Sequence, residues 1–180
     1  MTPQIVAPGY PSARLLSSIE RILGENTLCS MATRSEAGVI SINAAFFAFS
    51  PALELCFLSN PASAHCRNLS HVSQMAVTVF DSHQEWGRPH AGLQLYGQGG
   101  VLPPGHAERV QTAYAARFPR YFDFVIRAGD APEGASGLGN LRFYRFVPAR
   151  VKILDEGEFG DEVYITADVV SRPAPPRCRW

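Results

Sequence analysis

The sequence predicts a mainly β fold with some α (α+β), in which roughly six strands form an antiparallel barrel and two or three helices lie outside it. Strand-like apolar segments recur along the chain, and helical periodicity is confined to a few stretches. Most connections between the strand-like segments are short turns. Parallel neighbours need a crossover of about a dozen residues, so we expect these strands to run antiparallel.

The N-terminal part predicts an arm followed by one helix. Residues 1–11 contain three prolines and favour an extended arm. A single apolar stripe predicts a helix over about 13–23, with Ser12 as its N-cap and Gly24 at its end. At the other terminus, the proline-rich residues 171–180 favour a mobile tail. The length of 180 residues is typical of one domain, so we expect the whole chain to fold as one.

The middle of the chain alternates strand signals with turn signals. A turn is predicted at 34–38, where Gly38 suits a positive φ. Gly97, Gly99 and Gly100 weaken the last strand and indicate a bulge, or a close approach to a ligand or neighbouring backbone. The predicted strands cover residues 27–33, 39–49, 53–58, 75–81 and 91–102.

Helical periodicity appears twice more, over 63–71 and 106–117. Residues 128–139 are rich in glycine, alanine and aspartate and predict a loop. Residues 141–154 predict a strand pair or one bent strand, broken near Pro148.

Composition restricts the class of partner. The chain has 16 basic and 16 acidic residues, a formal net charge of zero, and 46% hydrophobic residues. Proteins that bind nucleic acid normally show a basic excess, so this class is excluded. Zero net charge also leaves little electrostatic repulsion against self-association.

The cysteines and the N-terminus indicate a compartment. The four cysteines form no CxxC pair and lack the spacing of zinc ligands. Unpaired cysteines are typical of a reducing environment, so we expect a cytoplasmic protein. The N-terminus has no basic start followed by an apolar run, so no signal peptide is expected, and the apolar runs are shorter than a membrane span.

The segment 55–79 carries the strongest functional signal, because it combines a strand, a polar helix start and a second strand. The helix start contains Ser63, His65 and Arg67. Helix starts present unpaired backbone N–H groups and a partial positive charge. Hydroxyl, imidazole and guanidinium groups at that point add donors for a phosphate. The segment therefore predicts a seat for a phosphorylated cofactor or ligand.

Four segments resemble, in their order and spacing, the pyridoxamine 5′-phosphate oxidase-like FMN-binding split-barrel superfamily, from about Leu15 to Leu154. The resemblance implies a six-stranded antiparallel split β-barrel with peripheral helices. It also implies a homodimer that binds FMN at two symmetric sites on the subunit interface. The segments are TLCSMATRSEAGVISIN, LCFLSNPASAHCRNLSHVSQMAV, VFDSHQEWGRPHAGLQLYGQGGVL and FYRFVPARVKIL.

The resemblance also implies which residues contact the cofactor. Small residues beside the ring system suit the close approach of a flat ring. The implied contacts are Leu58 and Ser59 along the flavin, Ser63 and His65 at its phosphate, and Asn43, Ala44 and Ala45 as backbone contacts beside the ring system.

The chain departs from the oxidases that give the superfamily its name. Their phosphate turn reads Ser-Arg-Lys, whereas residues 63–65 read Ser-Ala-His, and Arg67 is expected to supply the missing charge. Gly92 stands where the oxidases carry a glutamine, and Gln94 is the glutamine expected to contact the cofactor here. Their C-terminal signature, a tryptophan followed by Arg-Leu-His, is absent. A pyridoxamine phosphate substrate is therefore not expected.

Several aromatic residues and histidines have two interpretations. Trp86 either stacks on a flavin from the partner subunit or covers its own core. His83 and His90, on either side of it, either ligate haem iron or a metal or are solvated. The remaining aromatic cluster is expected to serve core or dimer packing rather than to form a cofactor site, and consists of Tyr114, Phe118, Tyr121, Phe122 and Phe124.

Acidic residues are concentrated near the C-terminal end of the predicted barrel. We expect Asp155, Glu156, Glu158, Asp161 and Glu162 to form a solvated face, with a short hairpin over 158–163.

Two functions are consistent with this sequence. The first is an FMN-dependent oxidoreductase, in which the flavin supplies the redox chemistry and no catalytic side chain is identified. The second is a non-catalytic flavin- or haem-binding protein that acts as carrier, store or sensor. Deazaflavin is a further alternative to FMN.

Overall fold

Eight strands and four helices make up the part of the chain that the structure describes. The structure is a computed structural model that describes residues 2–103, 105–121, 123 and 140–170. No helix within these ranges is long and apolar enough to cross a membrane. The strands are β1 (Gln4–Val6), β2 (Leu28–Arg34), β3 (Ile40–Phe49), β4 (Leu55–Ser59), β5 (Gln74–Phe80), β6 (Ala91–Val101), β7 (Arg142–Asp155) and β8 (Tyr164–Val170). The helices are α1 (Ser12–Glu25), α2 (Ala64–His71), α3 (Ala107–Arg117) and α4 (Glu156–Phe159).

Six of the strands close into an antiparallel barrel, as predicted. The sheet order is β1-β8-β7-β4-β3-β2-β5-β6, and β6 pairs with β7 to complete the ring. All the pairings are antiparallel. The strand β7 has two partners in succession along one edge, since Arg142–Phe146 pairs with β4 and Arg150–Leu154 pairs with β8. Strands β8 and β1 therefore extend the sheet beyond the ring.

The core follows from the alternation of apolar residues along the strands. In β5, Met75, Val77 and Val79 face inward and are buried, as the sequence pattern predicts. The rings of Phe47 and Phe57 are fully buried inside the barrel. Helix α1 covers one side of the barrel with the apolar stripe that its sequence predicts, Leu15, Ile19, Ile22 and Leu23.

The strand β3 is paired along both edges for only part of its length, and this opens the barrel. Phe47–Phe49 pair with β4, whereas Ile40–Phe46 pair only with β2 among the described strands. The Phe47 N–H donates to the Thr27 carbonyl, on the β2 side, at 3.1 Å. Because neighbouring residues of a strand point their N–H and C=O groups to opposite sides, Ile42, Ala44 and Phe46 direct theirs to the open edge.

A bulge at Ala149 of β7 lies opposite Tyr96 and Gly97 of β6. The register between the two strands shifts at Tyr96 and Gly97, and Gly97 lies opposite Pro148. Strand β7 is thus one bent strand rather than a strand pair. A Cβ atom on Gly97 would meet the Val147 carbonyl oxygen and would lie 2.8 Å from the Pro148 Cα. Gly97 therefore makes the close approach to a neighbouring backbone that the sequence indicates, whereas the extra residue of the bulge lies in β7.

Both ends of α1 differ from the prediction. Ser12 is the first helical residue rather than the N-cap, because its Oγ accepts a hydrogen bond from the Ile5 N–H at 2.8 Å. Gly24 lies within the helix, which ends at Glu25 with Asn26 as its C-cap. That hydrogen bond joins the helix to β1, so part of the expected extended arm is an edge strand with Ile5 buried.

The predicted hairpin over 158–163 is wrong. This region forms α4 and a turn, in which Gly160 and Glu162 have positive φ values of 99° and 58°. The chain then enters β8, which the sequence analysis missed. The predicted loop over 128–139, the tail over 171–180, and Phe122 and Phe124 lie outside the described residues.

The acidic residues do not all form a solvated face. Asp155 is 2% exposed and accepts hydrogen bonds from Ser18 Oγ at 2.5 Å and Arg21 Nη2 at 2.7 Å. Glu156 lies 2.9 Å from His90. Backbone N–H groups of Glu162 and His90 donate to the Glu156 carboxylate and lower its pKa. These two carboxylates fix α1 and the end of the 81–90 loop to the barrel.

We predict that Gly97→Ala destabilises the barrel by about 1–3 kcal/mol or more, since the added methyl meets backbone atoms that cannot rotate away. Gly100→Ala is the matched control, because a Cβ there has nothing within 4 Å. Chemical denaturation measures both free energies of unfolding. Equal stability of the two variants would contradict the close approach at the bulge.

Candidate functional site

A cavity of about 460 Å³ lies where β3 and β4 separate. One wall is the open edge of β3, the floor is the end of β4 with the start of α2, and the opposite wall is α3 with the residues that follow it. The lining residues are Asn43, Ala44, Ala45, Phe46, Leu58, Ser59, His65, Tyr114, Phe118, Arg120, Tyr121 and Leu141. We call this cavity the split pocket.

Two serines and a histidine form a hydrogen-bonded group at the floor of the split pocket. His65 Nε2 lies 2.6 Å from Ser59 Oγ and 3.1 Å from Ser63 Oγ. Ser63 precedes α2, but its hydroxyl does not cap a backbone N–H group of the helix. The first-turn N–H groups of α2 therefore remain available, and they carry the partial positive charge of a helix start. This arrangement suits an anion such as a phosphate.

Packing beneath the group holds α2 in place. The Phe57 ring lies 6.4 Å from the His65 ring and stacks on Tyr144 at 5.6 Å. On the far side of the helix, Asn68 Nδ2 donates to Thr33 Oγ1 at 3.1 Å. Asn68 therefore fixes the helix to β2, which agrees with a structural role for this residue.

The thiol of Cys66 belongs to the same group. Burial acts to raise its pKa, but hydrogen bonds with His65, Ser59 and Ser63 outweigh burial and lower the pKa to about 7. Burial raises the pKa of Cys29 to about 12 and that of Cys56 to about 11. Cys66 alone among the three described cysteines carries a lowered pKa.

The β3 wall of the pocket carries small side chains and one buried polar atom without a hydrogen-bond partner. Ala44 and Ala45 carry only methyl groups, so a flat ligand approaches the backbone closely at this point. Asn43 Oδ1 is buried and has no hydrogen-bond partner. Buried polar atoms are nearly always paired, so this acceptor is a locally unfavourable feature of the wall.

The opposite wall is aromatic and is tied to the barrel by one arginine. Tyr114 lies 4.7 Å from Phe118 and 5.4 Å from Tyr121, measured between ring centroids. Arg117 Nη2 donates to the Leu23 carbonyl at 2.7 Å, and its guanidinium lies 5.1 Å from the centroid of Phe47. Burial lowers the pKa of Arg117. This aromatic cluster packs as predicted, yet it also lines the pocket.

Six of the ten predicted contact residues line the split pocket, and Ser63 contacts two of them. Arg67 points elsewhere, because its Nη1 donates to the Ala62 carbonyl. Gln94 lies on the outer side of β6, where Tyr96 Oη donates to its side chain at 2.9 Å. Trp86 is fully exposed in the loop, so the interpretation that it covers its own core is wrong. The six lining residues are Asn43, Ala44, Ala45, Leu58, Ser59 and His65.

The two loop histidines are paired with carboxylates. His83 Nδ1 lies 3.0 Å from Asp81, and His90 Nδ1 lies 2.9 Å from Glu156. No group of His, Cys, Asp and Glu side chains suited to a metal occurs in the described ranges. Their hydrogen bonds shape the loop, and they do not converge on a shared centre.

Sequence reasoning missed the α3 wall as part of the site. Tyr114, Phe118 and Tyr121 recur at a helical spacing, which predicts one aromatic face but not what that face covers. Arg120 and Leu141 carried no signal at all.

The chain matches no protein-family model and no curated protein sequence. It is similar to a haem-binding protein from Mycobacterium smegmatis (TM-score 0.67, 13% identity, 88% of this chain and 59% of that one). It is also similar to a FAD-binding protein from Mesorhizobium loti (TM-score 0.57, 17% identity, 95% of this chain and 100% of that one). It is similar as well to a pyridoxinephosphate oxidase family protein from Clostridium acetobutylicum, related to general stress protein 26. The TM-score is 0.60 and the identity 14%, over 86% of this chain and 94% of that one.

These likenesses establish the fold. The chain has the pyridoxamine 5′-phosphate oxidase-like split-barrel fold, which is found in proteins that bind flavin and in proteins that bind haem. It spans 59% of the Mycobacterium protein and 60% of an Agrobacterium tumefaciens protein of unknown function.

We predict that Cys66 ionises near neutral pH while Cys29 and Cys56 stay protonated. The ultraviolet thiolate absorbance of the wild type minus that of Cys66→Ser should rise with a midpoint of about 7. This pKa lies below the ordinary value of 9.0, so the thiolate adds stability that is present above pH 9.0 and is lost as the pH falls through about 7. Wild type should therefore gain stability over Cys66→Ser across that interval.

The matched control is Cys29→Ser, which should leave the step near neutral pH in place. A step only at about pH 8.5, the ordinary range for a free cysteine, would contradict the hydrogen-bonded thiolate.

Proposed function

We propose that this protein is an FMN-binding oxidoreductase whose flavin lies in the split pocket. The observation that supports this most strongly is the position of the serine–histidine group at the start of α2, at one end of a narrow pocket. A flat ring bearing a phosphate needs these two features side by side.

Different residues of the pocket hold the phosphate and the ring of the cofactor. Ser59, Ser63, His65 and the first-turn N–H groups of α2 hold the phosphate. The open edge of β3 offers backbone N–H and C=O groups to the ring through Ala44. FMN supplies the electron transfer when it is bound, and the protein seats it, orients it and limits access of water. The electron donor and the final acceptor are left open by this assignment.

We propose that a second copy of the chain completes the site. The outward side of β3, β2, β5 and β6 carries large exposed apolar side chains on β3 and uncharged polar residues on β5 and β6, and Arg34 is the only charged residue on this side of the four strands. Exposed apolar faces of this kind mark protein interfaces. The exposed fraction reaches 72% for Ile42 and 53% for Phe46, both next to the pocket. Gln94 lies on the same side, which puts it and the loop of Trp86 within reach of a partner's pocket.

A second candidate is haem binding, favoured by the imidazole of His65 on the pocket wall. The buried cysteines also fit a reducing compartment, and we infer a cytoplasmic protein from them.

We predict that the purified protein is yellow or takes up FMN on titration, with a flavin spectrum and a released mass equal to that of FMN. His65→Ala should weaken FMN by about 1.5–3 kcal/mol, roughly ten- to hundredfold, through loss of a charge-assisted contact. Arg67→Ala measures whether that guanidinium turns toward the phosphate.

Three results discriminate the alternatives. A Soret band identifies haem, a deazaflavin mass identifies that cofactor, and failure to take up either flavin or haem removes both hypotheses. Unchanged FMN affinity in both variants would remove His65 and Arg67 from the site.

We predict that the protein elutes with twice the 19.7 kDa chain mass in size-exclusion chromatography with light scattering. Ile42→Arg should convert it to a monomer, because it buries a charge in an apolar interface. Val6→Arg is the matched control, since Val6 is 45% exposed on the edge strand β1. A monomeric wild type would contradict the shared site.

A further inference from the structure

The serine–histidine group at the floor of the split pocket contains no side chain with a permanent positive charge. Ser59, Ser63 and His65 offer two hydroxyls and an imidazole, whereas a phosphate group carries about two negative charges at neutral pH. The start of α2 adds only a partial charge. Arg67 lies close along the chain but points elsewhere, since its Nη1 donates to the Ala62 carbonyl. A cation for a phosphate at this floor therefore has to come from another element.

The strand β7 brings an arginine to this group. Arg142 pairs directly with Ser59 in the antiparallel ladder between β7 and β4. Directly paired residues point to the same side of a sheet, with Cβ atoms about 4.5–5.5 Å apart. The next pair on that side is Phe57 with Tyr144, whose rings stack at 5.6 Å, and the Phe57 ring lies 6.4 Å from the His65 ring. Arg142 therefore projects from the side of the sheet against which His65 packs.

The charge of Arg142 acts on the side chains beneath the serine–histidine group. Burial and a hydrogen bond with Cys66 raise the pKa of Tyr144, and the Arg142 guanidinium opposes this shift. Cys66 is in turn hydrogen-bonded to His65 and Ser59. The guanidinium is thus close enough for its charge to act on the network that includes the group.

Arg142 has no competing partner among the residues that the structure describes. It is exposed and makes no hydrogen bond or ion pair with them. Two other arginines of β7 are engaged, since Arg145 lies 3.8 Å from Glu54 and Arg150 lies 3.3 Å from Asp168. A guanidinium donates two parallel hydrogen bonds to a phosphate and is always charged. Arg142 therefore combines the missing charge with the freedom to turn toward an anion.

We propose that Arg142 binds the cofactor phosphate together with the serine–histidine group, and so makes the protein select FMN over riboflavin, which lacks the phosphate. The inference rests on the proposed flavin function and adds to it a specificity-determining residue from β7. The phosphate is then held from three elements, which are the end of β4, the start of α2 and the start of β7.

The test compares FMN with riboflavin on the wild type and on Arg142→Gln. The wild type should bind FMN about tenfold or more tightly than riboflavin. Arg142→Gln should bind FMN about tenfold or more weakly than the wild type, because a hydrogen-bonded charge pair is lost, and should bind riboflavin with unchanged affinity. Added salt should weaken FMN binding by the wild type more than FMN binding by the variant.

Further variants separate a phosphate contact from general damage. Arg142→Lys keeps the charge but loses the bidentate geometry, so its affinity for FMN should lie between those of the wild type and Arg142→Gln. Arg145→Gln is the matched control, on the same strand but the opposite side, and should leave both affinities unchanged. The melting temperature of ligand-free Arg142→Gln should equal that of the wild type, because the change removes an exposed side chain without a partner.

The outcomes distinguish this inference from the flavin function. Equal affinity of the wild type for FMN and riboflavin overturns the role of Arg142, even if Arg142→Gln does not fold, and leaves flavin binding intact. An equal loss of both ligands in Arg142→Gln, or an unchanged affinity for FMN, overturns it as well. So does a preference for FMN that is lost in Arg120→Gln but kept in Arg142→Gln, since the cation then comes from the aromatic wall. Absence of binding of either flavin by the wild type overturns both proposals.

Discussion

The unequal pairing of β3 is the constraint on which the rest of the structure depends. Its last three residues pair with β4, and its first seven pair only with β2. A sheet edge left unpaired inside a closed barrel creates a slot lined with backbone donors and acceptors. Helix α2 begins beside that slot, because β4 ends there and the chain must cross to β5. The serine–histidine group at the start of α2 and the open edge of β3 are thus two results of one divergence between strands.

The sequence predicted those parts of the molecule that local patterns determine. Three features can each be predicted from a stretch of about ten residues: the apolar stripe of α1, the alternation of apolar residues in β5 and the start of α2 near His65. Strand β8 was not predicted from the sequence, because its pairing depends on β7. Only the bend at Pro148 exposes that half of β7 to a partner. The place of the aromatic wall in the pocket was not predicted for a similar reason, since it depends on contacts between distant parts of the chain. Arg117 joins α3 to Leu23 and Asn26, which lie 94 and 91 residues away along the chain.

The split pocket combines a rigid side with an unsatisfied side. Phe57, Tyr144 and Asn68 fix the start of α2, and Arg117 fixes the aromatic wall through carbonyls and two phenylalanine rings. The β3 side instead retains an open backbone edge and the unpaired Asn43 acceptor. Proteins tend to keep such locally unfavourable features where a ligand binds, because stability at that point conflicts with binding. The contacts of α2 and of Arg117 therefore hold the walls in place, while the β3 side keeps its polar groups unpaired.

The open edge of β3 also bears on solubility. An unpaired strand edge flanked by exposed apolar side chains is a template on which another chain can add a strand, the first step of edge-to-edge aggregation. Ile40, Ile42 and Phe46 make this stretch strongly apolar, and no proline or charge interrupts it between Ile40 and Phe49. Whatever covers the edge also acts as a cap against fibre-like growth. A molecule or chain segment that covered this edge would therefore also protect the protein from adding strands of other chains.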